Sequence, residues 1–383
     1  METVVTFFKG VVRFFREADM VILALSLASS ILGVLLIGSA VTNRAGEAGA
    51  VDVQTGAIVL GMAFFLLFTY IDIDMIADKS RLLVVFSLLL LSTLLIWGVE
   101  EAGQRAWLRF FGIGMQPGEI TKVPFIIVMA KMISMYKEQR TLNSILSLAL
   151  IFAVFAIFFG AVFQISGDLG TALVYFGIFV IMLFAGGVKL RWFALGALVL
   201  TAAAPLVWEN VLSERHRNVV MAPFFPDIVD PDRSDALWQT YLSIEAIATG
   251  GPFGQGLGNG RLTQAAIIPA HHTDFIFSVA GEELGFIGCI AIIALLTCVI
   301  ARCFYVGVRS NNPLGMLVCT GVGAMFIVQS IMNIGMALGF LPVIGITLPF
   351  ISYGGSSVVT CFAAMGIVSG IKMRPKPARF RHI

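Results

Sequence analysis

Apolar residues run along this chain in long blocks separated by short polar breaks. Stretches of roughly the 20 residues that a helix needs to cross hydrocarbon fall at about 20–41, 55–71, 82–98, 120–136, 143–163, 169–187, 190–208, 275–301, 314–338 and 352–372. They predict ten transmembrane helices. Ahead of the first, Phe7, Phe8, Val11, Val12, Phe14 and Phe15 are interleaved with Lys9, Arg13 and Arg16, the pattern of an amphipathic helix lying in the membrane interface. The expected fold class is an all-α polytopic membrane protein. Its parts are an interfacial segment (1–19), helices one to seven (20–208), a large extracytoplasmic loop (209–273), helices eight to ten (274–372) and a basic cytoplasmic tail (373–383).

Charge placement tests that count. With the N-terminus inside, 17 of the 25 lysines and arginines fall on the cytoplasmic side. The outer side receives Arg44, Arg105, Arg109, Arg215, Arg217, Arg233 and Arg261, and Lys122 lies within the fourth span. Cytoplasmic loops of membrane proteins carry such an excess, so both termini are expected in the cytoplasm. Composition agrees: 58% of residues are hydrophobic and 13% charged, with a mean hydropathy of +0.94. A soluble domain carries about 25% charged residues. The net charge of +2 says little about partners, and no nucleic acid is expected. The 5 cysteines sit in or beside apolar runs without a metal spacing, as small buried hydrophobes do.

Ionisable residues in or beside a span are costly and mark function. Glu119 and Lys122 head the fourth span, Asp168 heads the sixth, and Asp274, Glu282 and Glu283 lie in the eighth. On the expected topology Glu119, Lys122, Asp168 and Asp274 lie near the outer face and could line one cavity. Lys122 follows Glu119 by one helical turn, so it either pairs with Glu119 or meets a phosphate. Asp168 is either a helix N-cap or a cavity residue. Asp274 is at the watery end of its helix, where a carboxylate stays ionised. Glu282 and Glu283 are deeper and are expected to be structural, bonded to neighbouring helices or to a buried lysine or arginine. The long loop holds a helix-like piece (ALWQTYLSIEAIA) and a Gly-rich run (TGGPFGQGLGNG) that reads as a flexible turn region, since no GK[ST] or preceding strand makes it a phosphate loop.

Five stretches carry a resemblance: QPGEITK (116–122), GDLGTAL (167–173), HTDFIFSVAGEELGFIG (272–288), NIGMALG (333–339) and LPVIGITLPFISYGGSS (341–357). In this order, over essentially the whole chain, they resemble the SEDS family (shape, elongation, division and sporulation), which includes RodA and FtsW. NIGMALGFLPVIG leans toward RodA, while GQGLGNG and GITLPFISYGGSS are also compatible with FtsW or the sporulation member, so a role in elongation, division or sporulation stays open. The resemblance implies a ten-span peptidoglycan glycosyltransferase of the bacterial cytoplasmic membrane. Such enzymes polymerise lipid II, a disaccharide-pentapeptide on undecaprenyl pyrophosphate, beside a class B penicillin-binding protein transpeptidase. It also implies that Asp274 is the essential acidic residue, acting as the base in an inverting transfer or holding a divalent cation such as Mg2+ or Mn2+. Lys122, Glu119, Arg105, Arg109, Arg215, Arg217, Asp168 and His272 become the expected contacts to pyrophosphate or sugar.

This chain departs from the family at several points. Gly118 replaces the serine of the family's QPSE, Pro269-Ala270 replaces Pro-Glu, Ala106-Trp107 replaces Arg-Trp, and LWQ (237–239) replaces Gly-Tyr-Gln. Two other classes compete. A lipid II flippase would need alternating access, commonly built from repeats, and no clear internal repeat is visible. A non-catalytic scaffold for the transpeptidase would not need Asp274 or Lys122.

Overall fold

The computed structural model describes residues 16–43, 49–101, 104–110, 113–230 and 237–374. The expected interfacial segment before residue 16, the tail beyond residue 374, Arg44, Arg233 and the side chain of Arg215 lie outside this set.

Ten long helices follow the apolar blocks: α1 Met20–Val41, α2 Ala50–Tyr70, α3 Ser80–Trp97, α4 Pro117–Glu138, α5 Ile145–Ala161, α6 Leu169–Gly186, α7 Leu190–Asn210, α8 Ile276–Arg309, α9 Pro313–Ala337 and α10 Gly355–Met373. Among the described residues nine are long and apolar enough to cross a membrane. The exception, α4, has the length but carries Glu119, Lys122, Lys131 and Lys137. Its polar first turns are buried against α6, α9 and α10, so they face protein rather than lipid.

Packing is uneven. α9 and α10 are the inner helices, with 78% and 83% of their most apolar windows buried, whereas α7 buries none of its own. Close helix contact relies on bare backbone. A Cβ on Gly366 of α10 would stand 2.5 Å from Phe65 O of α2, and one on Gly61 would stand 2.9 Å from the Phe362 ring. Small residues let membrane helices approach this closely.

Two features depart from the sequence reading. The fold is not wholly helical: β1 (Val99–Glu101), β2 (Gln104–Phe110) and β3 (Ile113–Met115) form an antiparallel meander between α3 and α4. In β2, Ala106 and Leu108 are buried while Arg105 and Arg109 face out, the period of two that a half-buried strand requires. The Gly-rich run is also not a flexible turn. Gly285, at φ 70° and ψ −167°, interrupts α8, and the run fills the break. Gln255 N and Gly256 N donate to the Glu282 and Glu283 carbonyls at 2.9 and 3.0 Å. Phe286 N and Ile287 N donate to the Gly251 and Pro252 carbonyls at 2.9 and 3.2 Å. A broken helix is stable at membrane depth only where its freed backbone groups find partners like these. A Cβ on Gly285 would meet Gly254 N at 2.2 Å, so the junction admits no side chain there.

Candidate active site

The segment before α8 sets the position of Asp274, and α9 and the connection between α9 and α10 hold its backbone. The carbonyl of His272 accepts from Tyr353 N at 2.9 Å, that of Thr273 from Ser352 Oγ at 2.6 Å, and that of Asp274 from Asn333 Nδ2 at 2.8 Å. Asn333 also donates to Ile346 O at 2.6 Å, so one amide joins the Asp274 turn to the chain between α9 and α10. That connection is itself fixed to α2: Gln54 Nε2 donates to Ser352 O at 3.0 Å and Gly354 N donates to Gln54 Oε1 at 3.1 Å. His271 is buried, with its ring nitrogens 2.9 Å from Ile268 O and 2.8 Å from Ala40 O at the end of α1.

Every backbone carbonyl of the triplet is therefore taken, while the Asp274 carboxylate accepts no hydrogen bond from any described residue. It faces a cavity of about 760 Å³. Gly345, at φ +69°, leaves room beside it; a Cβ there would stand 3.6 Å from Asp274 Oδ2. The β-meander contributes Gln104 and Trp107 to the lining, the start of α4 gives Gln116, and helix Glu214–Met221 gives Glu214, His216 and Asn218. Gln239, Thr240, Thr273, Thr347 and Tyr353 add further polar groups. Asp274 stands in the turn ahead of α8. Desolvation, with a smaller contribution from the charge of Asp168, raises its carboxyl to about 6. A carboxylate with that value is a better base than an ordinary aspartate and is still ionised at neutral pH.

The other acidic and basic candidates stand at varying removes from the cavity. Asp168 caps α6 through Thr171 N at 2.8 Å and also accepts from Gln116 Nε2 at 2.7 Å. It is thus a cap and, through Gln116, a support of the lining. Burial pushes its carboxyl up, outweighing the Thr171 hydrogen bonds that pull it down. Lys122 and Glu119 form a buried ion pair at 2.5 Å, and neither lines the cavity. The sequence suggested one cavity lined by Glu119, Lys122, Asp168 and Asp274; of the four, only Asp274 reaches the lining. Arg105 Nε donates to Gly98 O at 3.1 Å, Arg217 donates to the Leu212 and Glu209 carbonyls at 3.0 and 3.3 Å, and Arg109 lies exposed on β2. The His272 ring packs against Tyr353 with centroids 5.3 Å apart.

Glu282 and Glu283 are structural, but their partners are not cations. Glu282 accepts from Leu262 N at 2.7 Å and from Thr263 N and Oγ1 at 2.9 and 2.7 Å. Glu283 accepts from Ser39 Oγ at 2.7 Å, Gln264 Nε2 at 3.0 Å and Gly260 N at 3.4 Å. Both carboxylates bind the long loop to α8, and Glu283 adds α1. Sequence reasoning passed over Gln104, Gln116, Glu214, His216, Asn218 and Gln239. Gln116 and Gln239 lay within the quoted QPGEITK and LWQ stretches without being singled out, and the others carried no signal beyond standing between the spans.

The architecture and the unbonded carboxylate define a class: a polytopic helical membrane protein with a polar cavity built between its extramembrane loops and helix ends. Residues 19–376 match the profile of the FTSW_RODA_SPOVE family, described as cell cycle protein, and the chain belongs to that family, the SEDS family of the sequence reading. A relative from Geobacter metallireducens, named probable peptidoglycan glycosyltransferase FtsW, is 33% identical over 94% of this chain and 95% of its own length. Peptidoglycan glycosyltransferase MrdB of Escherichia coli K12 is 30% identical over 94% of each chain. The rod shape determining protein RodA of Thermus thermophilus superposes with a TM-score of 0.69 at 26% identity, covering 94% of this chain and 98% of that one. A chain from a structure titled for a peptidoglycan synthase complex that coordinates polymerization and crosslinking gives a TM-score of 0.78 at 28% identity, covering 93% and 97%.

Proposed function

We infer that this integral membrane protein is a peptidoglycan glycosyltransferase, in keeping with the names its relatives carry, and we propose that lipid II is its substrate and Asp274 its base. The observation that carries the assignment of Asp274 is the contrast between its fully bonded backbone and its unbonded carboxylate in the cavity. Such a group is held in place before substrate arrives, and fixed geometry is what general-base catalysis requires.

In the reaction, the 4-hydroxyl of the acceptor GlcNAc gives its proton to Asp274. The oxygen attacks the anomeric carbon of the donor MurNAc. The bond from that carbon to the pyrophosphate oxygen breaks, its electron pair leaving with undecaprenyl pyrophosphate, and the configuration inverts. Pyrophosphate leaves as a stable anion, so one carboxylate suffices without a general acid. Among the described residues no three His, Cys, Asp or Glu side chains converge as a metal site, and none of these steps is routed through a cation. The Glu119–Lys122 pair and Asp168 support the cavity from behind through Gln116 and the start of α4. We further propose that α4 is the tenth span, that both termini are cytoplasmic, and that a class B penicillin-binding protein is the partner.

The test is polymerisation of labelled lipid II by the purified protein and by its Asp274→Ala variant, each with and without the cognate transpeptidase. Glycan strands are expected from the wild type alone. Equal polymerisation by both would remove Asp274 from catalysis. No product from either, with the partner present, would shift the reading to transport or scaffolding.

A further inference from the structure

Among the described residues the cavity lining is poor in the positive charge that a pyrophosphate-linked donor calls for. Its described lining holds two carboxylates, Asp274 and Glu214, and no lysine or arginine. Bringing a pyrophosphate against two carboxylates in a partly desolvated site is opposed by like-charge repulsion. Four of the described cations near the outer loops are engaged elsewhere. Lys122 is paired with Glu119, Arg105 and Arg217 are bonded to backbone carbonyls, and Arg261 is paired with Glu245 at 3.2 Å.

His216 is the one basic side chain in the described lining. It stands on helix Glu214–Met221, and its ring is held at two points. Nδ1 is 2.9 Å from the Oγ of Ser213, the residue that caps this helix, and the Phe163 ring at the end of α5 lies 5.8 Å away. Nε2 takes no hydrogen bond from the described residues. A ring fixed through Nδ1 can present an Nε2–H donor, and in the imidazolium form a positive charge as well.

We propose that His216 is a pyrophosphate-binding residue of this glycosyltransferase, donating from Nε2 to the phosphate oxygens of the lipid-linked donor. The assignment rests on the glycosyltransferase reading for the identity of its ligand. Its contribution is to binding and to stabilising the departing anion, whereas Asp274 receives the proton.

The test separates binding from turnover. Undecaprenyl pyrophosphate is titrated onto the full-length protein in lipid nanodiscs, in EDTA and again in Mg2+, and polymerisation is assayed in parallel. His216→Ala and His216→Gln are each expected to weaken binding about ten-fold, the scale of one charge-assisted hydrogen bond, with His216→Arg retaining most of it and thermal unfolding unchanged. The loss in the Gln variant, which keeps a polar group, distinguishes charge from packing. The proposal is overturned by wild-type affinity in both uncharged variants. It is also overturned by absence of wild-type binding, by binding that needs Mg2+ but not His216, or by loss in Arg215→Ala with none in His216→Ala. Because binding is read without catalysis, a protein that binds the probe through His216 but forms no glycan would sink the glycosyltransferase reading alone.

Discussion

Asp274 and the Glu282–Glu283 pair belong to one stretch of chain, and they are held in opposite ways. At Asp274 the backbone is fixed and the carboxylate is left bare. At the glutamates the carboxylates themselves are saturated, with donors from the long loop and from α1. A carboxylate that its own protein satisfies is a fastener, since its acceptor capacity is spent before any ligand arrives. A carboxylate that the protein positions without satisfying is available for a proton. Burial alone would not have told them apart by role: Glu282 and Glu283 are almost fully buried, and a buried acid is as easily taken for a reactive group.

The comparison can be broken in a definite order. Asp274→Asn keeps the size of the side chain and removes the base. It is expected to lower turnover by about 10²- to 10⁴-fold with little change in thermal unfolding, and a variant that unfolds early would place Asp274 among the fasteners. Glu282→Leu strips acceptors from Leu262 and Thr263 inside the protein. Its expected cost is about 3 kcal/mol, read as lower thermal stability and early proteolysis within 251–264. Asn333→Ala removes the amide on the Asp274 carbonyl. An activity loss of roughly ten-fold, the scale of a buried hydrogen bond of about 1.5 kcal/mol, is expected in kcat rather than KM. The smallest effect concerns pH. Since the Asp274 carboxyl is raised to about 6 rather than lowered, its basic form is lost as pH falls through that value. At pH 5 kcat/KM should be about a tenth of its plateau, where an ordinary aspartate would still be mostly ionised.

The membrane helices were legible because each needs a long apolar run, and the runs match their helices within about five residues except at the end of α8, which continues to Arg309. The β-meander was not, although Arg105, Ala106, Leu108 and Arg109 alternate as a strand should. Beside runs of about 20 apolar residues, a seven-residue alternation is a faint signal. The break in α8 was hidden for a different reason. Gly285 stands inside an apolar run, and what completes the helix there comes from residues 251–256, a contact that no local pattern announces. Asp274 was legible as a candidate from its motif. The fate of the arginines was not, because Arg105 and Arg217 spend their donors on backbone carbonyls close by in the chain. Any sequence can supply such partners, so the pattern could not reveal them.

The bonds that build the site also fix when it comes into being. Ser39 reaches Glu283 across 244 residues, and Gln54 reaches Ser352 across 298. Thr273 and Asp274 wait for Ser352 and Asn333, which are made after them. During synthesis the outer loop and half of α8 are complete while Asp274 still lacks the bonds from α9 and from the α9–α10 connection. A ribosome-bound chain stopped short of Asn333 therefore holds the motif without the bonds that orient Asp274. The site takes shape only as the chain between α9 and α10 returns to α2 and to the turn ahead of α8.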